Sequence, residues 1–133
     1  MAAIAKSVAS LRIFGDELDP VEVSRLLGAQ PTLCGRKGEI GIRGGTAKTG
    51  SWRLRVADRM PGDLDGQVTE LLQRLTSDLE IWGVLAGRFR VDLFCGLFMD
   101  GSNEGFNLST SALKALGDRG IELALDIYAP PSE

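Results

Sequence analysis

Histidine is absent from the chain, and cysteine occurs only twice, at Cys34 and Cys95. Nucleophile activation by a Ser-His or Cys-His pair, and every metal site with an imidazole ligand, requires a histidine, so these enzyme classes are excluded. The two cysteines have neither the short spacing of a metal site nor the density of a secreted disulfide scaffold. We therefore predict two free thiols and no metal. Catalysis by Lys, Asp, Glu, Tyr or a lone thiolate stays open, but no motif indicates it, and we predict no catalytic residue and no cofactor.

Long apolar runs and an excess of positive charge are also missing. The first seven residues hold one lysine and no apolar stretch of signal-peptide length. No later run approaches the ~18 consecutive apolar residues of a membrane span. The formal net charge of −3 gives no long-range attraction to phosphate backbones or anionic lipid. We expect a cytoplasmic protein that binds neither nucleic acid nor membranes.

The composition is that of an ordinary globular domain: 133 residues, 44% hydrophobic and 25% charged. At this length folding buries roughly two thirds of the surface of the unfolded chain, so the core needs no disulfide or structural metal. Pro130 and Pro131 end regular structure. We predict a single domain over residues 8–128, with flexible termini at 1–7 and 129–133.

Period-two alternation of apolar residues predicts the strands. The four clearest stretches are residues 8–15, 51–57, 89–99 and 121–128. A long loop rich in glycine and basic residues spans 29–50, with Ile40 and Ile42 as a short edge strand. Residues 106–108 are a further short strand candidate. The strand over 89–99 is apolar on both faces, which favours an interior position in the sheet.

Helical spacing of apolar residues predicts three helices. The first begins at Pro20, with Asp19 as its N-cap, and ends at Gly28. The second is the longest and runs from Asp63 or Asp65 to about residue 87. The third begins after Ser109 or Thr110 and ends near Gly117 or Gly120. This order of elements predicts an α+β fold with a mixed or mainly antiparallel sheet and helices packed on one face, for which a ferredoxin-like two-layer sandwich with an inserted helix is a fitting arrangement.

The sheet face opposite the helices is the first candidate site. Alternation assigns the following residues to it: Arg12, Phe14, Arg53, Arg55, Arg90, Asp92, Phe94, Phe98, Asp126 and Tyr128. One interpretation is an ordinary solvated face whose opposite charges pair across strands. The other is a surface for a protein partner, a second copy or a small ligand, because clustered exposed aromatic rings mark interaction sites. Acid–base catalysis by Asp92 and Asp126 is disfavoured, since a carboxylate beside arginine stays ionised.

A second candidate site is a pocket at one end of the sheet, bordered by Glu39, Trp52, Asp100 and Asn107. Such a pocket would favour a small-molecule-binding or enzymatic domain. The segment Gly41–Gly50 (GIRGGTAKTG) offers glycines beside a lysine and a threonine, but Ala47 stands where a phosphate-binding loop needs glycine, and a strand follows in place of a helix.

Seven segments carry a resemblance to a known family. They are LRIFG, LDPVEVSRLLGAQPT, KGE, TGSWRL, FCGLFMD, GFNLS and RGIELALDIY, in this order between residues 11 and 128. Their succession resembles the bacterial family known as domain of unknown function 4279. The resemblance implies a small, stand-alone intracellular bacterial domain and supplies no activity, cofactor or catalytic residue. Domains of this kind often serve as binding partners, including immunity-like proteins that neutralise a toxin by occupying its surface.

From these observations we favour a non-enzymatic interaction module. It would use the aromatic and arginine-bearing sheet face, together with the loop from Arg36 to Lys48, to meet an unidentified protein or a second copy of itself as a homodimer. The alternative is the small-molecule-binding or enzymatic domain with the pocket described above.

Overall fold

The computed structural model describes residues 2–41 and 43–132. Its strands are β1 (Ala2–Ala3), β2 (Lys6–Gly15), β3 (Leu33–Gly35), β4 (Gly50–Arg55), β5 (Arg90–Phe98), β6 (Glu104–Gly105) and β7 (Glu122–Tyr128). Its helices are α1 (Pro20–Leu27), α2 (Leu64–Gln73), α3 (Leu79–Arg88) and α4 (Thr110–Asp118). None of these helices is long and apolar enough to cross a membrane.

Five strands form the main sheet in the order β3-β4-β2-β5-β7, and β1 pairs with β6 in a separate two-stranded sheet. Within the main sheet β5 and β7 are parallel and the other neighbours are antiparallel. The predicted α+β class with a mixed sheet is therefore confirmed. The topology differs in detail from that of a ferredoxin-like sandwich. Here the parallel strands β5 and β7 are direct neighbours joined through α4, whereas in the split β-α-β units of a ferredoxin-like sandwich another strand lies between the two parallel strands.

The hydrophobic core lies between one face of the main sheet and the helices. Alternation along β2 buries Leu11 and Ile13 completely and leaves Arg12, the residue between them, on the opposite face. The same core takes buried side chains from all four helices, for example Val23, Leu71, Trp82 and Leu116. All four helices thus cover one face, and the described residues place no helix on the other.

The first helix follows its sequence signals. The Asp19 side chain accepts a hydrogen bond from the Val21 backbone N–H, and Pro20 occupies the first helical turn. Gly28 ends the helix with φ of 74°, a left-handed conformation that glycine adopts without steric cost. The prediction for this element is confirmed.

The predicted single helix from residue 63 or 65 to 87 is wrong, because α2 and α3 are separate. Asp78 caps α3 by accepting a hydrogen bond from the Glu80 backbone N–H. Between the helices, the Thr76 backbone N–H donates to the Leu27 carbonyl over 2.8 Å, and the Trp82 indole N–H donates to the Thr76 carbonyl over 2.8 Å. These contacts with a neighbouring helix and a buried indole hold the chain in a non-helical path.

Two short strands also differ from the prediction. In the loop over 29–50, the edge strand is Leu33–Gly35; Ile40 forms only an isolated bridge with Thr46, and Ile42 lies outside the described residues. No strand occupies 106–108, because the pairing with the N-terminal segment involves Glu104–Gly105 instead. Both differences reflect pairing partners that are distant in sequence.

The folded region begins before residue 8, earlier than predicted. Ile4 is 3% exposed and Ser7 has no exposed area. The Ser7 hydroxyl donates to the side-chain oxygen of Gln67 over 2.7 Å, and the Gln67 side-chain nitrogen donates to the Ser7 and Ala57 carbonyls. The N-terminal segment is therefore part of the core, and β2 starts at Lys6. Regular structure ends at Tyr128, as the two prolines after it predict.

Candidate functional site

The side of the main sheet that no described helix covers is called the open face here. One row of directly paired residues crosses its four longest strands in the order Arg53 (β4), Arg12 (β2), Asp92 (β5) and Glu122 (β7). Because directly paired residues point to the same side of a sheet, this row fixes which residues belong to the face.

The strand registers place all ten residues of the predicted face on this side. They are Arg12, Phe14, Arg53, Arg55, Arg90, Asp92, Phe94, Phe98, Asp126 and Tyr128. Two further charged residues belong to the same side, Lys6 and Glu122. The sequence reasoning missed Lys6 because it started the strand two residues too late. Glu122 alternates with Asp126 and Tyr128 on the same side of β7, but the predicted face did not include it.

The centre of the open face is a buried ion pair. The Arg12 Nε and a terminal nitrogen each donate to one carboxylate oxygen of Asp92, both over 2.8 Å, and Asp92 has no exposed area. The hydrogen bond to Asp92 raises the pKa of Arg12. Arg90 approaches the same carboxylate only to 3.8 Å and stays exposed. Asp92 therefore lies beneath the surface and is not accessible to a partner. A partner on the open face would contact the Arg12 side chain instead.

Aromatic rings flank this ion pair. The guanidinium carbon of Arg12 lies 4.4 Å from the ring centre of Phe94 and 5.2 Å from that of Phe14. The guanidinium carbon of Arg53 lies 5.4 Å from the Phe14 ring centre. Cation–π attraction therefore holds the two guanidinium groups and the two phenyl rings together as one partly exposed layer.

A second aromatic group lies at the other end of the strands. The rings of Phe98 and Tyr128 stack in parallel with centres 4.6 Å apart, and the Lys6 ammonium lies 5.2 Å from the Phe98 centre. The Phe98 ring packs over Gly96. Any other residue at position 96 would place its Cβ only 3.3 Å from this ring. The Tyr128 hydroxyl is 3.4 Å from an Asp126 carboxylate oxygen, a long hydrogen bond.

Charge is divided across the open face. The β4 side carries Arg53 and Arg55, and the β7 side carries Glu122 and Asp126. Arg55 is neutralised by Asp58 over 2.8 Å, and this contact lowers the pKa of Asp58. Arg53 and Glu122 form no ion pair with another described residue, and the Arg53 Nε has no acceptor among them.

The four residues of the predicted pocket do not come together. Trp52 has no exposed area; it faces the helices, where its indole N–H donates to the Ser24 hydroxyl over 3.0 Å. Glu39 lines a cavity of about 660 Å³ beside β3, and Asn107 lines a different cavity of about 490 Å³ beside the start of α2. Asp100 sits in the turn before β6, where its backbone N–H donates to the Glu104 carboxylate. The predicted pocket is not formed.

The two cysteines are free, as predicted. Cys34 is exposed on β3, beside α1. Cys95 is buried, and this burial, with the nearby charge of Asp92, raises the pKa of its thiol to about 12. A thiol of this kind behaves as a small apolar side chain. Among residues 2–41 and 43–132, no group of three or more His, Cys, Asp or Glu side chains could hold a metal ion.

Comparison with known proteins connects the chain to a family. No curated protein and no solved structure matches it. Residues 5–130 match the family described as domain of unknown function (DUF4279). This match includes every strand of the main sheet and all four helices. On the strength of it, the chain belongs to the DUF4279 family.

Proposed function

We propose that the chain is a non-catalytic interaction module that meets another protein surface through the open face. The observation that carries the proposal is four aromatic rings and a guanidinium layer on a sheet face that no described helix covers. Aromatic and arginine side chains are enriched in the energetically dominant centres of protein interfaces, because they bury much area and lose little conformational freedom.

A purely solvated face explains this composition less well. Such a face lowers its free energy by pairing opposite charges between strands, and Arg12 with Asp92 does so. The directly opposed pair Arg12 and Arg53 does the reverse, because two like charges in that position repel. Arg53 nevertheless stacks on Phe14 with no carboxylate of its own. An ion pair and a ring contact completed by a partner would account for this arrangement.

The predicted contribution of the loop from Arg36 to Lys48 is not part of this proposal. Arg36 pairs with Asp19 over 2.7 Å and Lys37 with Asp16 over 3.1 Å. Two of the basic side chains of the loop are therefore engaged with the turn between β2 and α1. The contact with Lys37 lowers the pKa of Asp16.

Site-specific photocrosslinking in the full chain tests the proposal. The photoreactive residue p-benzoylphenylalanine would replace Phe94 or Tyr128 on the open face and, as matched controls, Val84 or Leu113 on the helix side. The exposed fraction is 45% for Tyr128 and 51% for each control residue, so these three positions are matched in accessibility, whereas Phe94 is half-buried. We expect defined adducts from the two open-face positions after irradiation in cells, with weaker or no adducts from the controls.

The mass of the adduct identifies what the open face meets. An adduct with a second copy and an adduct with a different protein would each support an interaction surface. Equal, diffuse labelling from all four positions, or no adduct from Phe94 and Tyr128, would overturn the proposal. Circular dichroism of each variant verifies that the substituted chain is folded.

A further inference from the structure

We infer that the occupant of the open face is a second copy of this chain, packed face to face about a two-fold axis that runs parallel to the strands. This inference rests on the proposed function, whose surface it uses. It comes from the order of charges along the central row, which reads Arg53, Arg12, Asp92, Glu122 from β4 to β7. Asp92 has no exposed area and is paired with Arg12 of its own chain, so the charges left to meet a second copy are the outer two, Arg53 and Glu122. These two are of opposite sign and face each other when the row is reversed.

A two-fold axis along the strands, between β2 and β5, produces that reversal. It lays β4 of one copy over β7 of the other, and β2 over β5. Arg53 then faces Glu122 of the second copy, and Glu122 faces its Arg53. Both residues lack an ion-pair partner among the described residues of one chain. Packed sheets are ~10 Å apart, and their strands cross at about 30°. Arginine and glutamate side chains on facing sheets are together long enough to span this distance.

The neighbouring rows agree with the same axis. Phe14 is directly paired with Arg90, and Lys6 with Phe98, in both cases between β2 and β5. Reversal of the first row places the Arg90 guanidinium over the Phe14 ring of the second copy, a contact between a cation and the face of an aromatic ring. Reversal of the second row brings Lys6 near Phe98 of the second copy, but Lys6 already lies over Phe98 of its own chain and pairs with Asp58 over 3.6 Å, so the contact with Phe14 carries this agreement. Arg90 is exposed in the single chain and available for this contact.

The alternative two-fold axis, perpendicular to the strands within the interface, is disfavoured by charge. It would lay β4 over β4 and β7 over β7. Arg53 and Arg55 of one copy would then face Arg53 and Arg55 of the other. Glu122 and Asp126 would likewise face their own counterparts in the other copy. Like charges brought together in an interface cost free energy and suppress that arrangement.

The size of the open face limits the area that a dimer can bury. Four strands spaced ~4.8 Å apart, with about eight residues each at ~3.3 Å per residue, cover roughly 500 Å². Two copies would bury about 1,000 Å², which is the lower limit for a specific interface. We therefore expect reversible association instead of an obligate dimer, since obligate interfaces are larger.

The inference is tested by reversing the charge of Arg53 or Glu122, the two ends of the central row, and measuring dimerisation of the full chain by sedimentation equilibrium. Both Arg53→Glu and Glu122→Arg place like charges opposite each other twice in a homodimer, and we expect each to weaken dimerisation at least tenfold. Dimerisation should return in the double variant. It should also return in an equimolar mixture of the two single variants. In that heterodimer the two substituted side chains, which carry opposite charges, face each other on one side, and the native Arg53 and Glu122 face each other on the other.

Lys114→Glu is the matched control, since it reverses an exposed charge on α4, on the helix side. It should leave the dissociation constant within twofold of wild type. Circular dichroism confirms that each variant is folded, and recovery in the mixture cannot arise from misfolded chains. A monomeric wild type at millimolar concentration, or a mixture that stays monomeric, would overturn the second-copy inference. The wider interaction proposal would still stand if photocrosslinking captured a different protein through the open face.

Discussion

At the scale of single residues, the Arg12–Asp92 pair holds the open face in shape. Asp92 has no exposed area, and its carboxylate accepts two hydrogen bonds of 2.8 Å from one guanidinium. Removing one partner of a buried ion pair is far more destabilising than removing the pair, since it leaves a charge desolvated and uncompensated. The same guanidinium orders the Phe94 and Phe14 rings.

Replacement of Arg12 by methionine should therefore lower the free energy of unfolding by about 3 kcal/mol. Methionine keeps much of the side-chain length and removes the charge and the donors. Lys114→Met breaks an exposed pair with Asp118 on α4 and should change stability by no more than about 0.5 kcal/mol. Urea unfolding monitored by circular dichroism measures both values. A loss below ~1 kcal/mol for Arg12→Met would mean that Arg90 replaces the missing partner.

Glu104 organises the turn that leads to β6. Its carboxylate accepts hydrogen bonds from the backbone N–H groups of Asp100, Gly101 and Ala5, and these hydrogen bonds lower its pKa below the ordinary value of 4.5. A carboxylate with a lowered folded-state pKa stabilises the fold above its unfolded pKa. That contribution is lost as the pH falls through the lower folded value.

Glu104→Gln should accordingly lower the urea midpoint at pH 7, and the difference from wild type should shrink as the pH falls below about 4.5. The amide offers one acceptor oxygen and no charge in place of two charged oxygens. Glu17→Gln is the control, because Glu17 is exposed and makes no hydrogen bond or ion pair with another described residue. A pH-independent difference for Glu104→Gln would contradict the role of the charge.

At the scale of elements, sequence patterns predicted correctly those features that depend on neighbouring residues, namely the faces of the strands and the ends of the first helix. Alternation assigned the correct side of the sheet to Phe14, Phe94 and Tyr128, because the period of two holds wherever one face is buried. Asp19 and Gly28 marked the ends of α1, because a cap acts on the backbone within its own turn.

Features that depend on contacts distant in sequence could not be predicted in this way. The order of strands brings Arg12 beside Asp92, and no spacing in the sequence encodes that neighbourhood. The predicted pocket failed for the same reason, since Glu39, Asp100 and Asn107 occupy separate loops whose positions follow from strand order. The apolar spacing through residues 75–79 is helical, and the contacts of Thr76 with Leu27 and Trp82, which that spacing does not encode, hold the chain out of a helix there. Asp78 is a local start signal for α3, but the continuous helical spacing masked it.

The break between α2 and α3 is supported by the cap at Asp78. Asp78→Ala removes the acceptor of the Glu80 backbone N–H and should cost about 1 kcal/mol of stability. The neighbouring Ser77→Ala is a matched control at an exposed site and should change stability by less than about 0.5 kcal/mol. Thermal and urea unfolding measure both variants. An unchanged or raised stability for Asp78→Ala would mean that the cap does not determine where α3 begins.

At the scale of the whole molecule, the N-terminal segment joins parts of the fold that are far apart in sequence. The Ile4 backbone N–H donates to the Gly105 carbonyl, and the Ile4 carbonyl accepts from the Gly62 backbone N–H. The Ile4 side chain packs so closely on Gly62 that no side chain would fit at residue 62. The segment then enters β2 at Lys6, whose ammonium lies over Phe98 on the open face.

Ile4→Ala should lower the free energy of unfolding by about 2–4 kcal/mol, the range for emptying a buried aliphatic site. Ile40→Ala is the matched control, because Ile40 is 77% exposed and should change stability by less than about 0.5 kcal/mol. A chain that starts at residue 8 should lose at least as much stability as Ile4→Ala, and it would also lack Lys6. Equal urea midpoints for the shortened and full chains would restore the boundary predicted from sequence. A lower midpoint in the shortened chain means that the segment before residue 8 is part of the folded core.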